Sequence, residues 1–96
     1  MRQAYLVSYD VSNPKRLRKV HRLLLGYGDA VQLSVFRCEL NHRELVELRR
    51  DLADIIHPQE DQVLLADLGP AEGRGSRCIA ALGRPYAPPE RVAVVV

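Results

Sequence analysis

Two amphipathic stripes, each opened by an asparagine and each preceded by a β-prone run, set the plan of this chain. In the first, Asn13 can cap a helix and Pro14 suits its first turn, after which Leu17, Val20, Leu24 and Tyr27 recur at three- and four-residue spacing. Gly26 to Gly28 ends that helix. In the second, Asn41-His42-Arg43-Glu44 has the form of a capping box. Leu45, Leu48, Leu52, Ile55 and Ile56 then trace the apolar face, and Pro58 closes it.

Between and around the stripes lie extended segments. Tyr5 to Asp10 is rich in β-formers and feeds directly into the first helix. Ala30 to Leu40 is long enough for two short strands if the chain turns near Ser34, and Gln62 to Asp67 is a further strand. Gly69 to Ser76 reads as a turn-rich loop, and Arg77 to Leu82 as a strand completing a hairpin. Pro85, Pro88 and Pro89 mark a linker before the uncharged, β-prone run Val92 to Val96. The order strand, helix, extended pair, helix, strand predicts an α+β fold: a ferredoxin-like βαββαβ sandwich with an antiparallel sheet and extra C-terminal strands.

At 96 residues, two domains would each lack an adequate core. Residues 1–82 are therefore expected to form one domain, and residues 83–96 a linker and a strand that pairs with the edge of a second copy. With both helices on one face of the sheet, the other face is open for a homodimer to cover. No apolar run approaches the roughly 18 residues of a membrane span, and no secretory signal is evident, so a cytoplasmic protein without membrane contact is expected. Cys38 and Cys78 have no ligand spacing and are expected to be buried free thiols.

The net charge of +2 conceals an uneven distribution. Lys15, Arg16, Arg18, Lys19 and Arg22 crowd the first helix with no carboxylate among them, giving that segment alone +5. Lys15 and Arg16 lie in the first turn, where the helix dipole disfavours cations by roughly 0.3–1 kcal/mol each. Phosphate recognition explains them, and pairing with distant carboxylates is the alternative. Few aromatics are available for base stacking, so backbone contact is favoured over base reading. Asp10 ends the first strand at the rim of the sheet. It reads either as an Asx-type turn residue or as a ligand for a hard cation such as Mg²⁺, which keeps several waters and needs only one or two carboxylates. His21, His42 and His57 have neither ligand spacing nor a neighbouring nucleophile, and no serine or glycine pattern supports acyl transfer or nucleotide hydrolysis.

With these residues placed, the chain resembles the small CRISPR-associated protein two family of bacterial and archaeal adaptive immunity. The resemblance rests on Tyr9-Asp10-Val11, Pro14 to Val20, Tyr27-Gly28, Val31 to Cys38 and Glu60-Asp61-Gln62-Val63, in that order and spacing. It implies a ferredoxin-like homodimer that works with the CRISPR integrase to insert new spacers and, in some members, metal-dependent cleavage of RNA or DNA. By position, Asp10 matches the Mg²⁺-binding aspartate near the dimer axis, and Arg16 and Arg18 match basic positions of the first helix. Tyr9 and Phe36 fall on motif positions near the metal site. Asn13 stands where many relatives have a further acidic residue, and Ala30 where many have arginine. Three functions are then open: a Mg²⁺-dependent endonuclease of spacer acquisition, a non-catalytic adaptor that bridges the integrase and clamps duplex DNA, and a generic RNA-binding module.

Overall fold

The computed structural model describes residues 1–86. Four strands and two helices follow in the order β1 (Gln3–Asp10), α1 (Pro14–Leu25), β2 (Gly28–Gln32), β3 (Val35–Leu40), α2 (His42–Ile55) and β4 (Gln62–Pro70). The sheet runs β2-β3-β1-β4 with every neighbour antiparallel, which is the ferredoxin-like order.

Both helices begin as the sequence dictates. The Asn13 side chain accepts from the Lys15 and Arg16 amides at 2.9 and 3.1 Å. At α2 the capping box closes in both directions: the Glu44 amide donates to Asn41 at 2.8 Å, and the Asn41 amide donates to the Glu44 carboxylate at 2.9 Å. The extended stretch turns at Leu33-Ser34, with Ser34 in the left-handed region (φ 64°). Gly28 opens β2 where any Cβ would come within 2.3 Å of the Arg37 carbonyl oxygen, so only glycine lets β2 approach β3 there.

The core lies between the helices and one face of the sheet. Val7, Tyr9, Phe36, Cys38 and Leu40 meet Val20 and Leu24 of α1 and Leu48 and Leu52 of α2. Strand alternation sends Leu6, Ser8 and Asp10 to the opposite face, in register with Arg37, Val35, Ala66, Leu64 and Gln62 of the flanking strands.

The expected hairpin between Gln62–Asp67 and Arg77–Leu82 is not formed. β4 runs on past Asp67 into the first two residues of the predicted loop, ending at Pro70, with Leu68 as an extra residue in its pairing with β1. A single 3₁₀ turn at Arg74–Ser76 follows, and residues 77–86 carry no regular structure. Arg37 donates to the Gly75 carbonyl at 2.7 Å, and Gly75 lies so close to Ala4 that an added Cβ would come within 2.7 Å of Ala4 Cβ. These contacts draw the chain over a corner of the open face instead of back along β4. Cys38 is buried as expected, whereas Cys78 is exposed because the strand that was to bury it is absent. The predicted strand Val92–Val96 lies outside the described residues.

Candidate functional site

The end of β1 and the start of α1 share one rim of the sheet. Asp10 is exposed there, on the face away from the helices, paired through the backbone with Gln62 of β4. Its carboxylate takes no hydrogen bond or ion pair among the described residues, so neither an Asx turn nor a cap occupies it. A free, solvent-facing carboxylate suits a hydrated hard cation. Among the described residues no group of three His, Cys, Asp or Glu side chains surrounds such an ion. At this position the chain by itself therefore offers such an ion one carboxylate, that of Asp10.

Tyr9 and Phe36 sit beneath this rim, on the helix side of the sheet. Phe36 is wholly buried and its ring centroid lies 6.2 Å from that of Tyr9. Burial raises the Tyr9 pKa, with a Ser34 hydrogen bond offsetting part of the effect, and the Tyr9 hydroxyl meets His21 Nδ1 at 3.1 Å. Both aromatics therefore shape the strand that ends in Asp10 without facing the carboxylate themselves.

The basic residues of α1 divide into two sets. Lys15, Arg18, Lys19 and Arg22 are exposed and form no ion pair among the described residues. Arg16 is held: its Nε and Nη2 donate to the two Asp61 oxygens at 2.7 and 3.1 Å. The Asp61 side chain is shielded from solvent and also accepts from the His57 amide at 2.8 Å and the Ser12 amide at 3.2 Å. Donation from Arg16, followed by the two amides, holds the Asp61 carboxyl well below the usual carboxylate range, against the opposing effect of its burial. One aspartate thus ties together the loop after Asp10, the first turn of α1 and the chain leading into β4. Arg16, expected as a phosphate ligand, is engaged by this pairing, which also explains how a cation is tolerated in the first helical turn.

Asp61 was not singled out from sequence, although the signal was present. In a βαββαβ sheet the start of β4 lies beside the end of β1, so an acidic residue just before Gln62 must land next to Ser12 and Arg16.

A ferredoxin-like sheet with a free carboxylate closing its central strand and an acid-free basic helix beside it defines a small α+β protein with a charged functional rim. The sequence matches the family model described as CRISPR associated protein Cas2 over residues 3–72. A Geobacter sulfurreducens protein named CRISPR-associated endoribonuclease Cas2 is 36% identical over 96 residues, the whole of both chains. One of the same name, numbered 1, from Rhodospirillum rubrum is 40% identical over 93 residues, covering 97% of this chain and 90% of that one. The crystal structure of Streptococcus pyogenes Cas2 at pH 6.5 superposes with a TM-score of 0.73 at 36% identity, over 83% of this chain and 99% of that one. A hypothetical protein from Thermus thermophilus gives 0.76 at 32% identity, over 93% of this chain and 100% of that one. The chain belongs to the CRISPR-associated Cas2 family.

Among the described residues no helix is long and apolar enough to cross a membrane.

Proposed function

We propose that this protein is a homodimeric factor of CRISPR spacer acquisition that binds RNA or duplex DNA along α1 and cleaves it with Mg²⁺ held at Asp10. The observations that carry this reading are an unpartnered carboxylate at the end of β1 and four unpaired cations, Lys15, Arg18, Lys19 and Arg22, exposed along the helix that follows it. Relatives named as endoribonucleases support the chemistry.

In this reading the four cations hold the phosphodiester backbone, and bidentate guanidinium contacts fix its orientation. Arg16 and Asp61 keep the Val11–Asn13 connection in place so that Asp10 and the helix start stay in a constant relation. A second copy lies across the open face, over Leu6, Val35 and Leu64, and brings its own Asp10 to the axis. The cation, when bound, supplies positive charge against the charge developing on phosphate.

A second reading, a non-catalytic adaptor that bridges the CRISPR integrase and clamps duplex DNA, draws on Asp10 standing outside any group of three potential ligands among the described residues. Asp10→Asn separates the two. For a nuclease, cleavage needs Mg²⁺, stops with EDTA and falls in the variant by about two orders of magnitude or more, while metal-free nucleic-acid binding and the folded dimer persist. For an adaptor, spacer acquisition with the integrase is unimpaired by Asp10→Asn. Undiminished cleavage by purified variant protein would place the active site elsewhere.

A further inference from the structure

A groove of about 420 Å³ lies between α1 and the β2–β3 turn, on the helix side of the sheet and away from the open face that carries Asp10. Three leucines border it. Leu33, at the tip of the turn, is 96% exposed, Leu25 at the end of α1 is 56% exposed, and Leu17 is 37% exposed. Leucine at a hairpin tip does nothing for the turn, since it is Ser34 that adopts the left-handed conformation. Three leucines around one concavity form an apolar patch of the kind that marks an interaction surface.

The groove is preformed. His21, which lines it, meets the Tyr9 hydroxyl at 3.1 Å and makes edge-on contact with Phe36, their ring centroids 5.3 Å apart. Its charge has one sign: Arg18 and Arg22 line it, neither has an ion-pair partner among the described residues, and no carboxylate lines it. An occupant must therefore offer apolar side chains to the leucines and negative charge to the arginines.

Nucleic acid satisfies only the second requirement. Base recognition uses exposed aromatic faces, and here Tyr9 is 6% exposed and Phe36 not at all. Phosphate alone leaves the leucines in water. An amphipathic segment of a protein, with leucine-like residues on one face and glutamate or aspartate beside them, meets both requirements.

We propose that the groove between α1 and the β2–β3 turn docks an acidic amphipathic segment of a partner protein. The interaction is separate from the nucleic-acid surface in the residues that decide it: Arg18 and Arg22 serve either partner, whereas Leu25 and Leu33 serve only the protein segment.

The test uses the full chain and a short synthetic helical peptide with leucines on one face and glutamates on the other, labelled for fluorescence anisotropy. Its controls are the same peptide with lysine for glutamate and with serine for leucine. The glutamate–leucine peptide binds and both controls bind at least about tenfold more weakly. Leu25→Ser combined with Leu33→Ser weakens the peptide complex by about tenfold or more. These residues are exposed, so the double variant stays folded, and its affinity for an RNA duplex is unchanged. Equal peptide binding by the variant, or equal binding of the lysine peptide, overturns the proposal. A parallel loss of RNA affinity in the variant assigns the groove to nucleic acid and also overturns it. So does a change in the sedimentation of the variant protein alone, because the groove would then be a contact between copies of this chain.

Discussion

The two helices have similar apolar faces and opposite treatments of charge. In α2 two of the three arginines are answered locally: Arg43 pairs with Glu47 one turn on and Arg50 with neighbouring Asp51, while Arg49 has no ion pair among the described residues and Glu44 takes Arg2, just before β1. In α1 only Arg16 finds ion-pair partners among the described residues, and these, Asp61 at 2.7 Å and Glu60 at 3.8 Å, lie outside the helix. A helix that needs only to pack can neutralise most of its charge along its own surface, as α2 does with Arg43 and Arg50. The charge left over on α1 has no structural use within the described chain, which makes it the informative difference between the two.

The largest expected effect exploits that difference in binding. Arg18→Gln with Arg22→Gln removes two uncommitted cations, and affinity for RNA or duplex DNA should fall about tenfold or more with little dependence on sequence. The slope of log affinity against log salt should shrink by about two units. The matched pair in α2, Arg43→Gln with Arg50→Gln, should leave both quantities unchanged. Filter binding or anisotropy across a salt series measures each, and an equal loss from the α2 pair would break the contrast between the helices.

A second effect, on stability, separates Arg16 from its neighbours within α1. Arg16→Gln leaves Asp61 as a shielded carboxylate without its main donor, so thermal denaturation should show a clear drop in Tm, whereas Arg18→Gln should leave Tm nearly unchanged. The pH dependence has a definite sign. Because the folded Asp61 carboxyl is held below its ordinary value, its contribution is fully present above about pH 4 and is lost progressively as the pH falls from there toward the folded-state value. Asp61→Asn should therefore flatten that part of the acid limb, measured by chemical denaturation between about pH 2 and 5. An unchanged acid limb would remove Asp61 from its role as the tie between the Asp10 loop and α1.

What was legible in the sequence follows from how local each signal is. The asparagine caps, the capping box, the two apolar stripes and the helix end at Gly26 depend on neighbours within a turn or two. All of them appear as expected. The strand order followed from the sequence of elements, because few topologies accommodate them. The Arg16–Asp61 pair joins residues 45 apart, and no periodicity connects them; only the fold, once assumed, brings them to one rim. Arg77–Leu82 failed for a related reason. Its residues favour extended structure, but a strand also needs an edge to pair with, and Gly75 docking on Ala4 redirects the chain first. For the site, Asp10 and the four free cations were readable as residue types at a strand end and on one helix. The commitment of Arg16, the inward placement of Phe36 and the groove at Leu33 depended on tertiary contacts.

The smallest effect concerns the caps, which look alike in sequence and differ in what they hold. Asn13 accepts from two amides and has no reciprocal carboxylate, since no acidic residue lies in the first turn of α1. Asn41 accepts from one amide, and Glu44 returns a bond to the Asn41 amide while also taking Arg2. Alanine at either position should cost about 1 kcal/mol, within the usual range of roughly 0.5–2. The consequences should nevertheless differ. Asn41→Ala should act on stability alone, because α2 carries no part of the charged rim. Asn13→Ala loosens the turn that carries Lys15 and Arg16, so it should also weaken RNA binding by a few-fold at unchanged fold content. Chemical denaturation and anisotropy on the two variants make the comparison. If both lose stability equally and neither loses affinity, the start of α1 needs no fixed geometry to hold phosphate, and its charge alone accounts for binding.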